Sequence, residues 1–399
     1  MAGHLIFRIA LLFVAALLFL YVWAFHTVHP ASPRFEKPAG HPASNAAPEF
    51  QERFASRGET PEVHASTAYA HAAGGLTAFW YGGTREGARD VSIYRSRLDD
   101  AGWDKAQLIV DRDRAEADLN RHIRKVGNSI AYRHPDGRLW LFFVTVSVGG
   151  WAGSSISLIE SVDNGQTWSA ARRLVTSPLF NLSTLVKGSA FRYADGTIGL
   201  PIYHEFIGKF GELLRLDPNA RILDKSRFTT GREALQPEIA ILSERKAVVL
   251  LRHSGPELRR VLHSTSDDGG RSWSRPQKIA MPNPDSALDV LAIGRDRLLA
   301  TFNDLEHARN RLTLAVSENL GESWRTIKVL EYREDATNRH RYQFSYPWLL
   351  RSADGDFHLL YTWNKTRIKH VHFNQRWLDS QIALPAEPRS DTALLGAAP

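Results

Sequence analysis

The sequence predicts an all-β protein, a six-bladed β-propeller preceded by an N-terminal transmembrane helix. Three observations lead there. One octapeptide pattern occurs three times, a turn followed by an apolar run occurs six times, and helical periodicity is missing between residues 60 and 375. The octapeptides are Ser161-Val-Asp163-Asn-Gly165-Gln-Thr167-Trp168, Ser266-Asp-Asp268-Gly-Gly270-Arg-Ser272-Trp273 and Ser317-Glu-Asn319-Leu-Gly321-Glu-Ser323-Trp324. The pattern is that of a tight turn. Asp163, Asp268 and Asn319 accept from backbone N–H groups a few residues on, and the glycine takes the positive φ that the turn needs. The hydroxyls satisfy further backbone groups, and the tryptophan returns the chain to the interior. These acidic residues are therefore expected to be structural.

The elements follow in chain order. Leu5–Phe25 is apolar apart from Arg8. At ~1.5 Å per residue such a stretch spans a bilayer core of about 30 Å. Residues 1–25 are expected to form an uncleaved signal anchor in the inner membrane, with the N-terminus inside and the rest on the extracytoplasmic (periplasmic) side. Residues 26–58, with Pro30, Pro33, Pro38, Pro42 and Pro48, read as a semi-extended spacer. The propeller is expected over 59–384. Its six apolar runs are Gly75–Tyr81, Gly137–Phe143, Gly196–Ile202, Lys246–Leu251, Arg297–Phe302 and Gly355–Tyr361. Their spacing suits one four-stranded blade each. Residues 385–399 read as a frayed tail.

Composition narrows the function classes. The chain has 399 residues and no cysteine, which excludes disulfides, thiolate metal sites and a cysteine nucleophile. Eleven tryptophans suit both blade packing and sugar stacking. The net charge of +7 favours acidic partners, and the basic residues are scattered rather than clustered, which argues against nucleic acid. His370-Val-His372 places two imidazoles on one strand face, which strand alternation explains without a metal. No cofactor motif is present, and an acidic glycan is the expected partner.

The octapeptide is the Asp box, and with it the chain resembles sialidases and related propellers. Gly82-Gly-Thr-Arg85-Glu-Gly, Asn283-Pro-Asp-Ser286, Ser345-Tyr-Pro347 and the run Tyr361–His370 are similar to a bacterial and plant branch of sialidase-like proteins, over roughly residues 60–373. The resemblance implies an exo-α-sialidase type of site. Three arginines hold the substrate carboxylate, a tyrosine activated by a glutamate attacks the anomeric carbon, and an aspartate is the acid/base. Carried onto this sequence, the arginines are Arg85, Arg252 and Arg311, with Arg309 as the alternative to Arg311. The tyrosine is Tyr346, or Tyr342. The glutamate is Glu238, or Glu205, and the acid/base is Asp90, or Glu86. The chain departs from the pattern at its first arginine, where Val63-His64-Ala65-Ser66 places a histidine.

That departure opens two other readings. His64, Arg85, His204, Arg252, Tyr346 and Arg367, with Lys369 and His370, form a cationic set. It suits β-elimination of uronate-containing polysaccharides, in which cations neutralise a carboxylate and a histidine or tyrosine removes the C5 proton. The other reading is a glycan-binding propeller without catalysis, since the fold hosts many functions.

Overall fold

The computed structural model describes residues 2–27, 32–38, 40, 46–72, 74–177, 181–228, 231–257, 259–294, 296–334 and 342–385. Six antiparallel sheets, blades I to VI, follow one another along the chain. Their innermost strands are Glu62–Ala70, Lys125–Arg133, Leu185–Val186, Ala234–Ile241, Asp289–Ala292 and Phe344–Arg351. The six apolar runs are the second strands, Leu76–Gly83, Leu139–Val146, Ile198–His204, Ala247–His253, Leu298–Phe302 and Phe357–Trp363. These are buried on both faces, which is why they read as continuous apolar runs rather than alternating ones.

The three Asp boxes lie at one end of the propeller, where the third strands of blades II, IV and V turn back. Asp163 accepts from Gln166 N, Thr167 N and the Thr167 and Ser161 hydroxyls. Those bonds, led by Thr167, hold its carboxyl well below the usual carboxylate range. The box tryptophans reach the preceding blade. Trp168 meets Phe79 edge-on at 5.8 Å between centroids, and Trp273 meets Phe228 at 4.8 Å. The boxes thus join blade to blade as well as closing turns.

The spacer expected over 26–58 is corrected in two places. Phe50–Phe54 pairs antiparallel with Arg367–Phe373 and is the outermost strand of blade VI. The last blade is thereby closed by an N-terminal strand, with Phe50 against Trp377 at 4.5 Å. Upstream, Phe35 is fully buried, stacks on Tyr193 at 5.3 Å, and donates its N–H to Glu244 O. Pro33 O lies against Gly269 of the blade IV Asp box, so this segment is pinned at the Asp-box end. Proline spacing hid both contacts because one or two aromatic residues suffice to anchor an otherwise polar segment.

Ala2–Thr27 is one α-helix. Its side chains are described over residues 7–21, where all are exposed. That stretch is shorter than the ~20 residues a bilayer core needs. Among the described residues no helix is long and apolar enough to cross a membrane. The expected tail, 385–399, lies outside the described residues except for Pro385.

Candidate functional site

The inner strands of blades I, II, IV and VI share one irregularity at the end opposite the Asp boxes. Pairing skips two residues of the inner strand against one of the second strand. It breaks between His64 and Thr67, Val126 and Ser129, Leu235 and Glu238, and Ser345 and Trp348. The skipped residues include Ala65, Asn128, Gln236 and Tyr346. Ala65, Gln236 and Tyr346 have φ of 52°, 49° and 53°. A left-handed conformation at a non-glycine residue costs on the order of 1 kcal/mol. Its recurrence in three blades marks a constructed feature. A bulge re-aims side chains out of the strand's alternation, and here it turns them toward one another.

What they meet is a compact polar cluster. Gln236, buried, donates from Nε2 to Tyr346 Oη at 3.3 Å and to Tyr203 Oη at 3.4 Å. Asn128 Nδ2 reaches Tyr203 Oη at 3.4 Å. Arg252 Nη1 donates to Gln236 Oε1 at 3.0 Å, and its Nε to Asp285 Oδ1 at 2.6 Å. Arg309 Nη2 donates to the Asp285 carbonyl at 2.5 Å. One residue, Asp285, therefore holds two guanidinium groups beside Tyr346. The His64 ring lies 4.4 Å from the Tyr346 ring and 5.7 Å from that of Tyr81, and its Nδ1 is 3.2 Å from Thr362 Oγ1.

The electrostatics follow from burial and from these neighbours. Burial drives His64 down to about 3, with Lys365, Arg309 and Arg252 adding to the effect and Glu86 opposing it. His64 is thus a neutral imidazole above that pH. Burial pushes Arg309 down, and the like charge of Arg252 pushes further. Burial also opposes the charge on Arg252, but Tyr346 and Asp285 outweigh it and hold that group above its ordinary value. On the rim, burial raises Glu205 against the pull of Arg252 and Lys209. Burial pushes Glu86 up too, yet His64, Lys365 and Arg309 outweigh it and hold its carboxyl below the usual value.

The structure brings together Tyr346, Arg252 and His64, and places Arg309 rather than Arg311 with them. Arg311 turns away, with Nε 3.1 Å from Asp304 Oδ1 and its guanidinium over Tyr332. Glu238 is two residues from Gln236 but on the far side of the bulge. Its Oε1 takes Lys187 Nζ at 2.5 Å on the propeller axis, where Lys187 also donates to Leu288 O and Pro347 O and lies 3.8 Å from Asp289. The group on the Tyr346 hydroxyl is therefore the amide of Gln236, not a carboxylate. Asp90 is exposed and accepts from Thr84 N and Oγ1, closing its own turn. Arg85 is exposed in the same loop. His204 pairs with Glu212 at 2.9 Å and stacks on Phe210. Arg367 is exposed and covers Phe54. Tyr342 packs at the junction of blades V and VI. Lys369 pairs with Glu331, and His370 lies between Trp103 and His358.

Gln236, Tyr203, Asn128 and Asp285 belong to the cluster but are not among the residues the sequence pattern singles out. The Gln236-Pro-Glu238 motif was the available signal, because a proline inside an inner strand marks a bulge. Among the described residues no group of three or more His, Cys, Asp or Glu side chains could hold a metal ion.

The fold and the site define the class: an Asp-box propeller with a cluster of two arginines and a tyrosine at the end opposite the boxes. The chain belongs to the family described as BNR repeat-like domain, whose model matches residues 74–359. Among solved structures it is similar to the Hadza microbial sialidase Hz136, with TM-score 0.66, 16% identity, and coverage of 82% of this chain and 68% of that one. A Dyadobacter fermentans protein of unknown function aligns with TM-score 0.65 and 12% identity over 82% of this chain and 99% of that one. The NanB sialidase of Streptococcus pneumoniae aligns with TM-score 0.62 and 10% identity over 88% of this chain and 72% of that one. At these identities the likeness is one of fold. No curated protein matches the chain.

Proposed function

We propose that this protein acts on glycans that end in an acidic sugar, whose carboxylate sits between Arg252 and Arg309. The observation that carries the reading is the pair of guanidinium groups held on Asp285 beside Tyr346. Guanidinium forks match a carboxylate and stay charged at any physiological pH. In the exo-glycosidase reading, Tyr346 Oη attacks the anomeric carbon as its bond to the leaving oxygen breaks; the phenol proton passes to ionised Glu86, and Glu205, raised by burial, protonates the leaving oxygen. Water then displaces Tyr346 from the glycosyl–tyrosine intermediate and gives its proton to Glu205, while Glu86 returns its proton to the Tyr346 oxygen.

A second reading rests on Gln236. An amide cannot take the proton of Tyr346, which weakens the nucleophile that a retaining mechanism needs. An amide and two cations around a carboxylate do suit β-elimination, with Tyr346 or neutral His64 taking the C5 proton of a uronate as the C4–O bond breaks and Glu205 protonating the departing oxygen.

The two chemistries separate in one experiment. The protein is incubated with a fluorogenic sialoside and, separately, with oligouronates. Release of the fluorophore supports hydrolysis, and ultraviolet absorbance of an unsaturated uronate supports elimination. Binding of acidic sugars with neither signal leaves a lectin-like role. No binding of any acidic sugar overturns the arginine pocket.

We also propose a membrane anchor through residues 5–25, with the propeller on the extracytoplasmic side. Its support is the apolar sequence of the helix Ala2–Thr27 and the exposed side chains of residues 7–21. The six steps from Thr27 to Pro33 reach at most ~22 Å. Since Pro33 is pinned at the Asp-box end, that end then faces the bilayer and the cleft faces away from it. Protease protection of the intact membrane, with cleavage of the propeller only after outer-membrane lysis, is the expected result.

A further inference from the structure

A second cleft opens beside the Tyr346 site, between the loops of blades I, II and VI. It holds about 450 Å³ and is lined by Glu62, Arg85, Glu86, Lys125, Trp151 and Lys365. Its cations are unequally occupied. Lys365 Nζ is 3.2 Å from Glu86 Oε2, so that pair is closed. Arg85 is exposed. Lys125 is the unusual member. The residue is only 7% exposed, yet among the described residues it makes no ion pair. Its Nζ sits 3.7 Å above the Trp151 ring. Trp151 in turn is seated on Gly127, where an added Cβ would lie 2.6 Å from the indole edge. Gly127 thus sets the height of the indole under the amine.

Burying an ammonium without a carboxylate partner is costly, and a ring face offsets the cost only in part. A buried cation at the wall of an open cleft, with a second cation on the rim, is the arrangement that an incoming anion completes. The cleft adjoins the first site, because Glu86 is felt by both His64 and Lys125.

We propose that this cleft is a second anion subsite, which takes a carboxylate or sulfate ester on the sugar next to the one held by Arg252 and Arg309. Lys125 and Arg85 bind the anion, and the half-buried Trp151 forms the apolar wall for the ring. The substrate class is then a glycan with acidic groups on successive sugars, rather than a single acidic cap on a neutral chain. This rests on the arginine-pocket reading given above.

The test is calorimetric titration of the full chain with three disaccharides of one skeleton. Galacturonosyl-galactose carries one anion, digalacturonate adds a second carboxylate, and galacturonosyl-galactose 6-sulfate adds a sulfate instead. The dianionic probes are expected to bind about tenfold tighter, the scale of one charge-assisted contact. The tighter of the two identifies the anion the subsite prefers. Lys125→Met should erase the gain and leave the monoanion unchanged. Arg85→Ala, at an exposed position, should reduce the gain without touching the fold. Equal affinity for all three probes, or a gain that survives both variants, overturns the subsite and leaves the arginine pocket standing. A gain that survives Arg252→Ala but not Lys125→Met keeps the subsite and overturns the arginine pocket. No binding by any probe overturns both.

Discussion

The two ends of this propeller use the same residue types to opposite effect. At the Asp-box end each acidic side chain is consumed locally. Asp268 takes the Ser266 and Ser272 hydroxyls and the Ser272 N–H, all within four residues. At the other end the charged groups come from different blades and lean on each other: Arg252 from blade IV, Arg309 from blade V, Tyr346 from blade VI, His64 from blade I. A short-range network is complete within one turn and holds the fold. A long-range network exists only when the ring has closed. The difference ties one end to stability and, on the proposed function, the other to recognition.

The axis beneath the cleft is where that division is most easily broken. Lys187→Met removes the buried cation that Glu238 and Asp289 share, and takes the donor from Leu288 O and Pro347 O. It is expected to destabilise the fold by about 3–5 kcal/mol, read by chemical denaturation. A small effect would mean that water reaches the axis. The same cluster sets a pH dependence. Burial, then Asp289, raises Glu238 from 4.5 to about 8. The folded state therefore binds a proton that the unfolded state releases. This contribution is fully present below pH 4.5 and is lost as pH rises to about 8. Glu238→Gln should flatten that slope in a series of melting curves.

Arg252→Ala is the next largest effect, and it falls mainly on function. Removing one preorganised charge contact should cost about a hundredfold in turnover or affinity for an acidic sugar, with a smaller loss of stability because Asp285 and Gln236 lose their partner. Retained activity would move the site away from Asp285. At the opposite end, Asp268→Ala should do the reverse. Its hydrogen bonds are solvent-screened, so the cost is about 1 kcal/mol of stability, with sugar binding untouched. A loss of binding there would show that the two ends are coupled. The smallest effect concerns His64. Its imidazole should show no titration step near 6.5 by NMR, because burial holds it near 3. A step at the ordinary value would mean that the ring is solvated and not packed on Tyr346.

Legibility in the sequence tracks the range of the interactions. The Asp boxes and the six second strands are short, contiguous patterns, and each is found where the repeat places it. Tyr346, Arg252 and His64 were also readable, as residues near strand ends. Asp90, Glu238 and Arg311 were not separable from their neighbours by position. Strand alternation puts residues 236 and 238 on one face, and the skipped pair between Leu235 and Glu238 sends them to different places. Arg309 precedes its strand and Arg311 begins it, so two residues of spacing correspond to different surroundings.

The number of blades, their turns and the family are legible along the chain, because they depend on local chemistry that repeats. Packing of the blades settles that Gln236 meets the Tyr346 hydroxyl, that Asp285 gathers two arginines, and that Lys125 is buried with no ion pair among the described residues. Each of these depends on which blades stand next to each other around the axis, and on bulges that no local pattern encodes. The strand Phe50–Phe54 makes the same point from the other terminus, since its partner lies more than three hundred residues away in the chain.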